Sequence, residues 1–284
     1  MTNRKGMLYV VATPIGNLQD ISARAIATLK SVSRIAAEDT RHSGKLLSHY
    51  GINTPLVALH EHNEREVTPV LLGMLEAGDD LALICDAGTP LISDPGFCLV
   101  RAAREAGVRL VPVPGPAAGI AALSVSGLPA DRFVFEGFLP SRAAARRARL
   151  EVLKGETRTL IFHESSHRIA GCLEDMMAIL GGDRPGVIAR ELTKVFETIE
   201  SGSLAALSVW LQADPNRQKG EFVVLVQGTP PAGDTALDES TRHVLAVLLA
   251  ELPLKQAAAL AAKITGLSRN ALYAQALEMK QGDS

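Results

Sequence analysis

The stretch Met7-Leu8-Tyr9-Val10-Val11-Ala12-Thr13-Pro14-Ile15-Gly16-Asn17 decides the fold. Its apolar, β-branched start (7–12) reads as a buried strand, and a tight polar loop follows. A helical pattern comes next over 20–30, with Ile21, Ala25, Ile26 and Leu29 on one face. The same succession recurs twice. Residues 32–36 lead into Ala37-Glu38-Asp39-Thr40-Arg41 and a helix near 43–50, and residues 80–84 lead into Cys85-Asp86-Ala87-Gly88-Thr89-Pro90 and a helix over 95–106. A strand at 56–59, a helix at 64–77 and a strand at 109–113 complete the alternation. Gly51, Gly78 and Gly107 sit where helices need a left-handed C-terminal residue. Strands alternating with helices of this length predict a parallel sheet with crossover helices. Ligands of such sheets bind beyond the carboxyl ends of the strands. Three loops rich in Gly, Pro and short polar groups at three such ends therefore predict one composite site.

A second α/β unit follows a hinge near 114–116. It has a helix at 117–126, a strand at 132–136, a helix at 142–154, a strand at 159–163 and a helix at 167–180. Strands at 187–190 and 194–199, a helix at 204–211 and a strand at 221–227 close it. Residues 229–238 are rich in Pro, Gly and Asp and read as a linker. Beyond them, 256–263, a turn at Gly266 and 269–277 have helix-turn-helix spacing, with Ser268 as N-cap. A small helical hairpin that packs or dimerises has the same spacing. The predicted organisation is an N-terminal α/β domain (1–116), a second α/β domain (117–228) and a C-terminal helical module (239–284).

The chain of 284 residues is 47% hydrophobic and carries a formal charge of −2. Cores of that size need no disulfide staples. Cys85, Cys98 and Cys172 are an odd number at wide spacing, which suggests a reducing compartment and no metal framework. No run of about 20 apolar residues and no signal-peptide pattern is present. These features predict a soluble cytoplasmic protein with no membrane association. Net charge gives no hint of a polyanionic partner. The segment 141–158 does, with Arg142, Arg146, Arg147, Arg149, Lys154 and Arg158 against Glu151 and Glu156. A solvated helix face would have the same composition.

The three loops, together with Val113-Pro114-Gly115-Pro116-Ala117-Ala118, Phe135-Glu136-Gly137-Phe138-Leu139-Pro140 and Lys219-Gly220-Glu221-Phe222, resemble the bacterial small-subunit ribosomal RNA ribose-2′-O-methyltransferases. These belong to the tetrapyrrole-methylase-like superfamily. The resemblance runs from about Met7 to Leu277. It implies a two-domain methyltransferase fold, S-adenosyl-L-methionine as cofactor and 16S rRNA of the small ribosomal subunit as partner. It also implies cytidine 1402 as target and a homodimer. By the same resemblance Pro14, Asp86, Ala87, Gly88, Ala117 and Leu139 line the cofactor cleft.

The residues themselves are compatible with that chemistry. No Gly-x-x-x-x-Gly-Lys-Ser/Thr and no Gly-x-Gly-x-x-Gly occurs, which disfavours nucleoside triphosphates and dinucleotides. S-adenosylmethionine has no phosphate and carries a cationic sulfonium, so backbone groups, a carboxylate and an apolar wall suit it. Gly16, Gly115 and Pro116 add close backbone approach. Asp86 is a ligand group or an Asx cap of its own turn. Glu38, Asp39 and Arg41 place two carboxylates and a guanidinium at one strand end. A carboxylate there can take the proton of a ribose hydroxyl, and an arginine can hold a phosphate. Asp39 as a helix N-cap paired with Arg41 is the structural alternative. Glu191 and Lys194 are the catalytic candidates from the second unit, while Arg142, Arg146 and Arg147 are candidates for docking RNA.

His163-Glu164-Ser165-Ser166-His167 matches His-Glu-x-x-His, but residues 159–162 read as a strand entering His163. The two histidines then leave the single helical face that zinc ligation needs. No metal is expected, and His163 and Glu164 become substrate candidates at a strand end. Two other functions share parts of the pattern. One is a small-molecule, tetrapyrrole-type methyltransferase. The other is a DNA-binding regulator with an α/β ligand sensor. The arginine-rich segment and the tail favour RNA over the first, and the Glu38–Arg41 cluster favours an enzyme over the second.

Overall fold

The computed structural model describes residues 4–230 and 239–282. The first sheet is built by β1 (Met7–Val11), α1 (Ala23–Ser31), β2 (Arg34–Ala37), α2 (Thr40–His49), β3 (Leu56–Ala58), α3 (Glu64–Ala77), β4 (Leu81–Ile84), α4 (Phe97–Glu105) and β5 (Arg109–Val113). Its strands run parallel in the order β3-β2-β4-β1-β5. Both faces are covered, so the strands are apolar almost throughout. Ile21, Ala25, Leu29 and Leu47 pack from α1 and α2 on one face. Leu71, Leu75, Leu99 and Ala103 pack from α3 and α4 on the other. The chain leaves β1 toward β2 on the first face and leaves β4 toward β5 on the second. The crevice where neighbouring strands send their connections opposite ways is where such sheets bind ligands.

The second sheet follows α5 (Ala118–Ser126). It comprises β6 (Phe133–Phe138), α6 (Ala143–Leu153), β7 (Thr159–Ser165), α7 (Ile169–Leu180), β8 (Pro185–Arg190), β9 (Thr198–Ser203), α8 (Leu204–Gln212) and β10 (Glu221–Val226). Its order is β6-β7-β10-β8-β9, with β6 and β7 parallel and the other pairs antiparallel. Period-two alternation divides β10 between two cores. Phe222, Val224 and Val226 meet α6, α7 and α8, while Val223 and Leu225 join Ala122 and Leu123 of α5. The strand expected at 194–199 is displaced. Glu191 and Thr193 take positive φ, and the backbone turns back through Lys194 N–H to the Glu191 carbonyl. β9 starts only at Thr198, opposite Arg190.

Both sheets lie in one compact body that ends at Gln227, and the C-terminal helices form a second. That second body has α9 (Glu239–Glu251), α10 (Leu254–Thr265) and α11 (Arg269–Gly282) around Leu245, Ala258, Ala261, Leu272 and Ala276. Gly266 ends α10 at φ 74°, as the turn requires. The sequence pattern had disclosed α10 and α11 but not α9. The linker expected over 229–238 lies outside the described residues from 231 onward. No helix among the described residues is long and apolar enough to cross a membrane.

The basic segment on α6 is less free than its composition suggests. Arg146 is buried at the α6–α7 contact, where its Nε donates to Asp175 Oδ2 at 2.6 Å and its Nη2 to the Gly171 carbonyl. The side chains of Arg146 and Asp175 are 9% and 12% exposed. Arg146 is therefore a packing residue and not a phosphate contact, which corrects the sequence expectation. Arg147 reaches the other Asp175 oxygen at 3.2 Å from a half-exposed position. Arg149 grips Glu136 through two hydrogen bonds of 2.8 Å. Removing one partner of a buried pair strands the other charge and costs about 3–5 kcal/mol. Arg146→Ala should lower unfolding free energy by that amount in urea titrations, and Arg147→Ala by much less. Equal, small losses in both would show that Arg146 is not integral to the core.

Candidate active site

A cavity of about 840 Å³ lies between the carboxyl ends of the first sheet and one face of the second. Ile161, Ala189 and Val223 of the second sheet form its buried floor. The loop Asp86–Asp94 and the start of α5 border it. Backbone pairing fixes the loops. Thr13 N–H donates to the Gly88 carbonyl at 2.8 Å, and Gly88 N–H returns a bond to Thr13 at 3.1 Å. The Thr13 hydroxyl donates to the Cys85 carbonyl, and the Thr89 hydroxyl to that of Pro116. Gly88 sits at φ 87°, where a side chain would be strained. Leu91 and Ser93 hold positive φ without that freedom, at 73° and 75°. Strained backbone of this kind clusters at functional sites.

The cavity is acidic. Glu38, Asp86 and Asp94 line it, and no lysine or arginine does among the described residues. Burial raises the Glu38 carboxyl above the ordinary range, and the charges of Asp94 and Asp86 raise it further. Asp94 is raised by burial and then by Asp86. Burial, followed by Asp94, pushes the Cys85 thiol well up, so it stays protonated. A cation beside Glu38 and Asp94 would lower both carboxyls toward the ordinary range. An anionic ligand such as a phosphate would worsen the repulsion, whereas a cationic one would relieve it.

Of the residues singled out in the sequence, Glu38, Asp86, Ala87, Gly88, Ala117, His163 and Glu164 line this cavity together. Asp39 stands beside it in the role of an N-cap. Its Oδ1 accepts from the Arg41 and His42 backbones, which lower its carboxyl, and its own N–H donates to Asp86 Oδ1 at 3.1 Å. Arg41 is exposed in the first turn of α2. Pro14 is buried. Gly115 backs onto Ala12, where an added Cβ would lie 3.0 Å from the Ala12 Cβ, and Pro116 contributes its carbonyl to Thr89.

Gly16 lies apart, under Lys194 in a neighbouring depression that includes Asn17 and His49. Lys194 Nζ pairs with Glu191 Oε1 at 2.9 Å and Glu221 Oε2 at 2.7 Å. Those partners raise the ammonium, while Glu191 is lowered by Lys194 and the Glu221 N–H against the opposing effect of burial. Glu191 and Lys194 thus form a clasp beside the cavity, with Glu221 reaching its edge.

One expectation is corrected. The Leu139 side chain is packed in the core of the second sheet, and its carbonyl accepts from Arg168. Glu164 lines the cavity with its carboxylate buried, paired with Arg168 at 3.2 Å and accepting from Ser165 N–H. Strand β7 continues through His163 to Ser165, which separates His163 and His167 as a helix would not. Asp94, Phe133, Phe135 and Phe138 were missed. The turn Ser93-Asp94-Pro95-Gly96 was a signal for the first.

The model of the tetrapyrrole (corrin/porphyrin) methylases matches residues 7–208, and that of the RsmI C-terminal HTH domain matches 235–280. Ribosomal RNA small subunit methyltransferase I of Pseudomonas aeruginosa is 59% identical over 280 residues, covering 98% of this chain and 99% of the relative. The protein of the same name from Escherichia coli O157:H7 is 54% identical over 278 residues, covering 98% and 97%. Among solved structures, diphthine synthase superposes with a TM-score of 0.59 at 15% identity, covering 78% of this chain and 90% of that one. The uroporphyrin-III-C-methyltransferase of Thermus thermophilus gives 0.53 at 19%, covering 78% and 94%. These two share the fold. With near-complete coverage at more than half identity, the chain belongs to the ribosomal RNA small subunit methyltransferase I family, built on the tetrapyrrole methylase fold.

Proposed function

We propose that this protein methylates the 2′-hydroxyl of a cytidine in 16S rRNA, using S-adenosyl-L-methionine. The target is cytidine 1402, which the sequence resemblance implies. The observation that carries this reading is the cluster of Glu38, Asp86 and Asp94 in a cavity that no lysine or arginine among the described residues lines. S-adenosylmethionine fits that chemistry through its sulfonium and ammonium charges, and its adenosine suits the apolar floor at Ile161, Ala189 and Val223. When bound, it supplies a methyl group that forms a C–O bond to the ribose as its S–C bond breaks, with loss of the hydroxyl proton.

The residues divide the remaining work. Asp86 and Asp94 balance the cationic charge, and the Gly88 backbone approaches the ligand closely. Glu38, at the end of β2, takes the ribose proton. A positioned carboxylate is a competent general base for a hydroxyl proton. Arg41, Arg142 and Arg147 are the candidates for phosphates, and the helix-turn-helix body for further rRNA contact. A homodimer in the cytoplasm, working without a metal, belongs to the same reading.

The test is to incubate the protein with labelled S-adenosylmethionine and small ribosomal subunits from a strain lacking the enzyme, then map the labelled nucleotide. Label on the ribose of one cytidine is expected. Transfer only to a small molecule would overturn the substrate assignment. In single-turnover assays at saturating cofactor and subunit, Glu38→Gln should slow transfer by roughly 10²–10⁴-fold. Cofactor affinity measured by calorimetry should change by less than about tenfold in that variant. A rate within a few-fold of the parent would remove Glu38 as the base.

A further inference from the structure

Phe133, Phe135 and Phe138 all face the cavity, although strand alternation would send the last one to the opposite side. A bulge on β6 changes the phase. Phe135 stands opposite Ile161 and Gly137 opposite Phe162, so Glu136 is the extra residue. Gly137 adopts φ 63°, and a Cβ there would lie 2.8 Å from Ser93 Oγ. Arg149 holds the displaced Glu136 by its two hydrogen bonds. The bulge brings Phe138 beside His163, with ring centroids 5.5 Å apart at 75°, while Phe135 meets the same imidazole at 5.0 Å and 77°. Phe138 is 54% exposed and Phe133 38%, so they form the mouth of the cavity above its buried floor. His163 Nε2 is buried and has no hydrogen-bond partner. Burial also lowers the imidazole's proton affinity, against the opposing charge of Glu221.

Resting on the function proposed above, we infer that Phe138, with Phe133 and His163, forms the stacking site for the base of the target nucleotide. A ribose inside an RNA can reach a methyl donor at the floor of this cavity only if its nucleoside leaves the stack. The freed base then needs an aromatic face and a partner for its polar edge. The exposed phenylalanines supply the face, and the unpartnered nitrogen of His163 accepts from or donates to the edge. Exposed Arg142 follows Phe138 by four residues, at the start of α6. An aromatic mouth suits a nucleotide base, and an exposed arginine four residues further along the chain is a candidate for its phosphate. The cofactor, a small molecule, occupies the floor, and a macromolecule can approach only through the mouth.

The test compares Phe138→Ala, Phe138→Tyr and Phe133→Ala with the parent. Single-turnover methylation is followed against the concentration of unmodified small subunits, and S-adenosylmethionine affinity is measured separately by calorimetry. Phe138→Ala should raise the half-saturating subunit concentration about tenfold or more. Phe138→Tyr should stay within about threefold, Phe133→Ala should show a smaller rise, and cofactor affinity should be unchanged in all three. Loss of cofactor affinity without a change in subunit dependence would overturn the assignment and give these rings to the cofactor. An unchanged subunit dependence with unchanged affinity would also overturn it. A parent protein that does not methylate subunits at all would instead refute the function on which the inference rests.

Discussion

Holding Glu38, Asp86 and Asp94 in one partly buried cavity is electrostatically unfavourable, and the rest of the site is organised around that fact. Two of the three carboxyls have raised proton affinity because burial and the neighbouring carboxylate charges both disfavour ionisation. Such a cluster gains most from a ligand that brings positive charge and little from a neutral one. The unfavourable charge therefore doubles as selectivity.

The frame has to resist that repulsion. The reciprocal Thr13–Gly88 hydrogen bonds join the loops after β1 and β4 at the place where the sheet's connections diverge. Thr89 ties the same loop to Pro116, before α5. Positive φ at Leu91 and Ser93 shows that packing, and not local preference, sets this backbone. On the far side, the Glu191–Lys194–Glu221 clasp occupies a second strained turn. Preorganisation of this kind places charge before the ligand arrives, so little reorganisation is left for the reaction itself.

The parallel sheet was legible because its strands are buried on both faces and read as short apolar runs ending in glycine-rich loops. Glu38, Asp86 and Gly88 were legible for the same reason, since they are the residues at those strand ends. Arg146 was not, because its partner Asp175 lies 29 residues away on another helix and only packing reveals the pair. The start of β9 was misplaced because Glu191 and Thr193 adopt a conformation rare for their types. Phe138 was hidden by the bulge at Glu136, which shifts alternation by one residue without an apolar signal. Features set by local pattern were visible, and those set by contacts across the fold were not.

Cation binding at this carboxyl cluster must be linked to proton release. Carboxyls of raised proton affinity are partly protonated just above the ordinary carboxylate range, and a bound cation favours their ionised form. Titration calorimetry of S-adenosylmethionine in buffers of different ionisation enthalpy should show protons released at mildly acidic pH. The release should fade as pH rises to neutrality and shrink in Asp94→Asn. S-adenosylhomocysteine, which lacks the sulfonium charge, should release fewer. Equal affinities for the two ligands with no proton release at any pH would contradict the account.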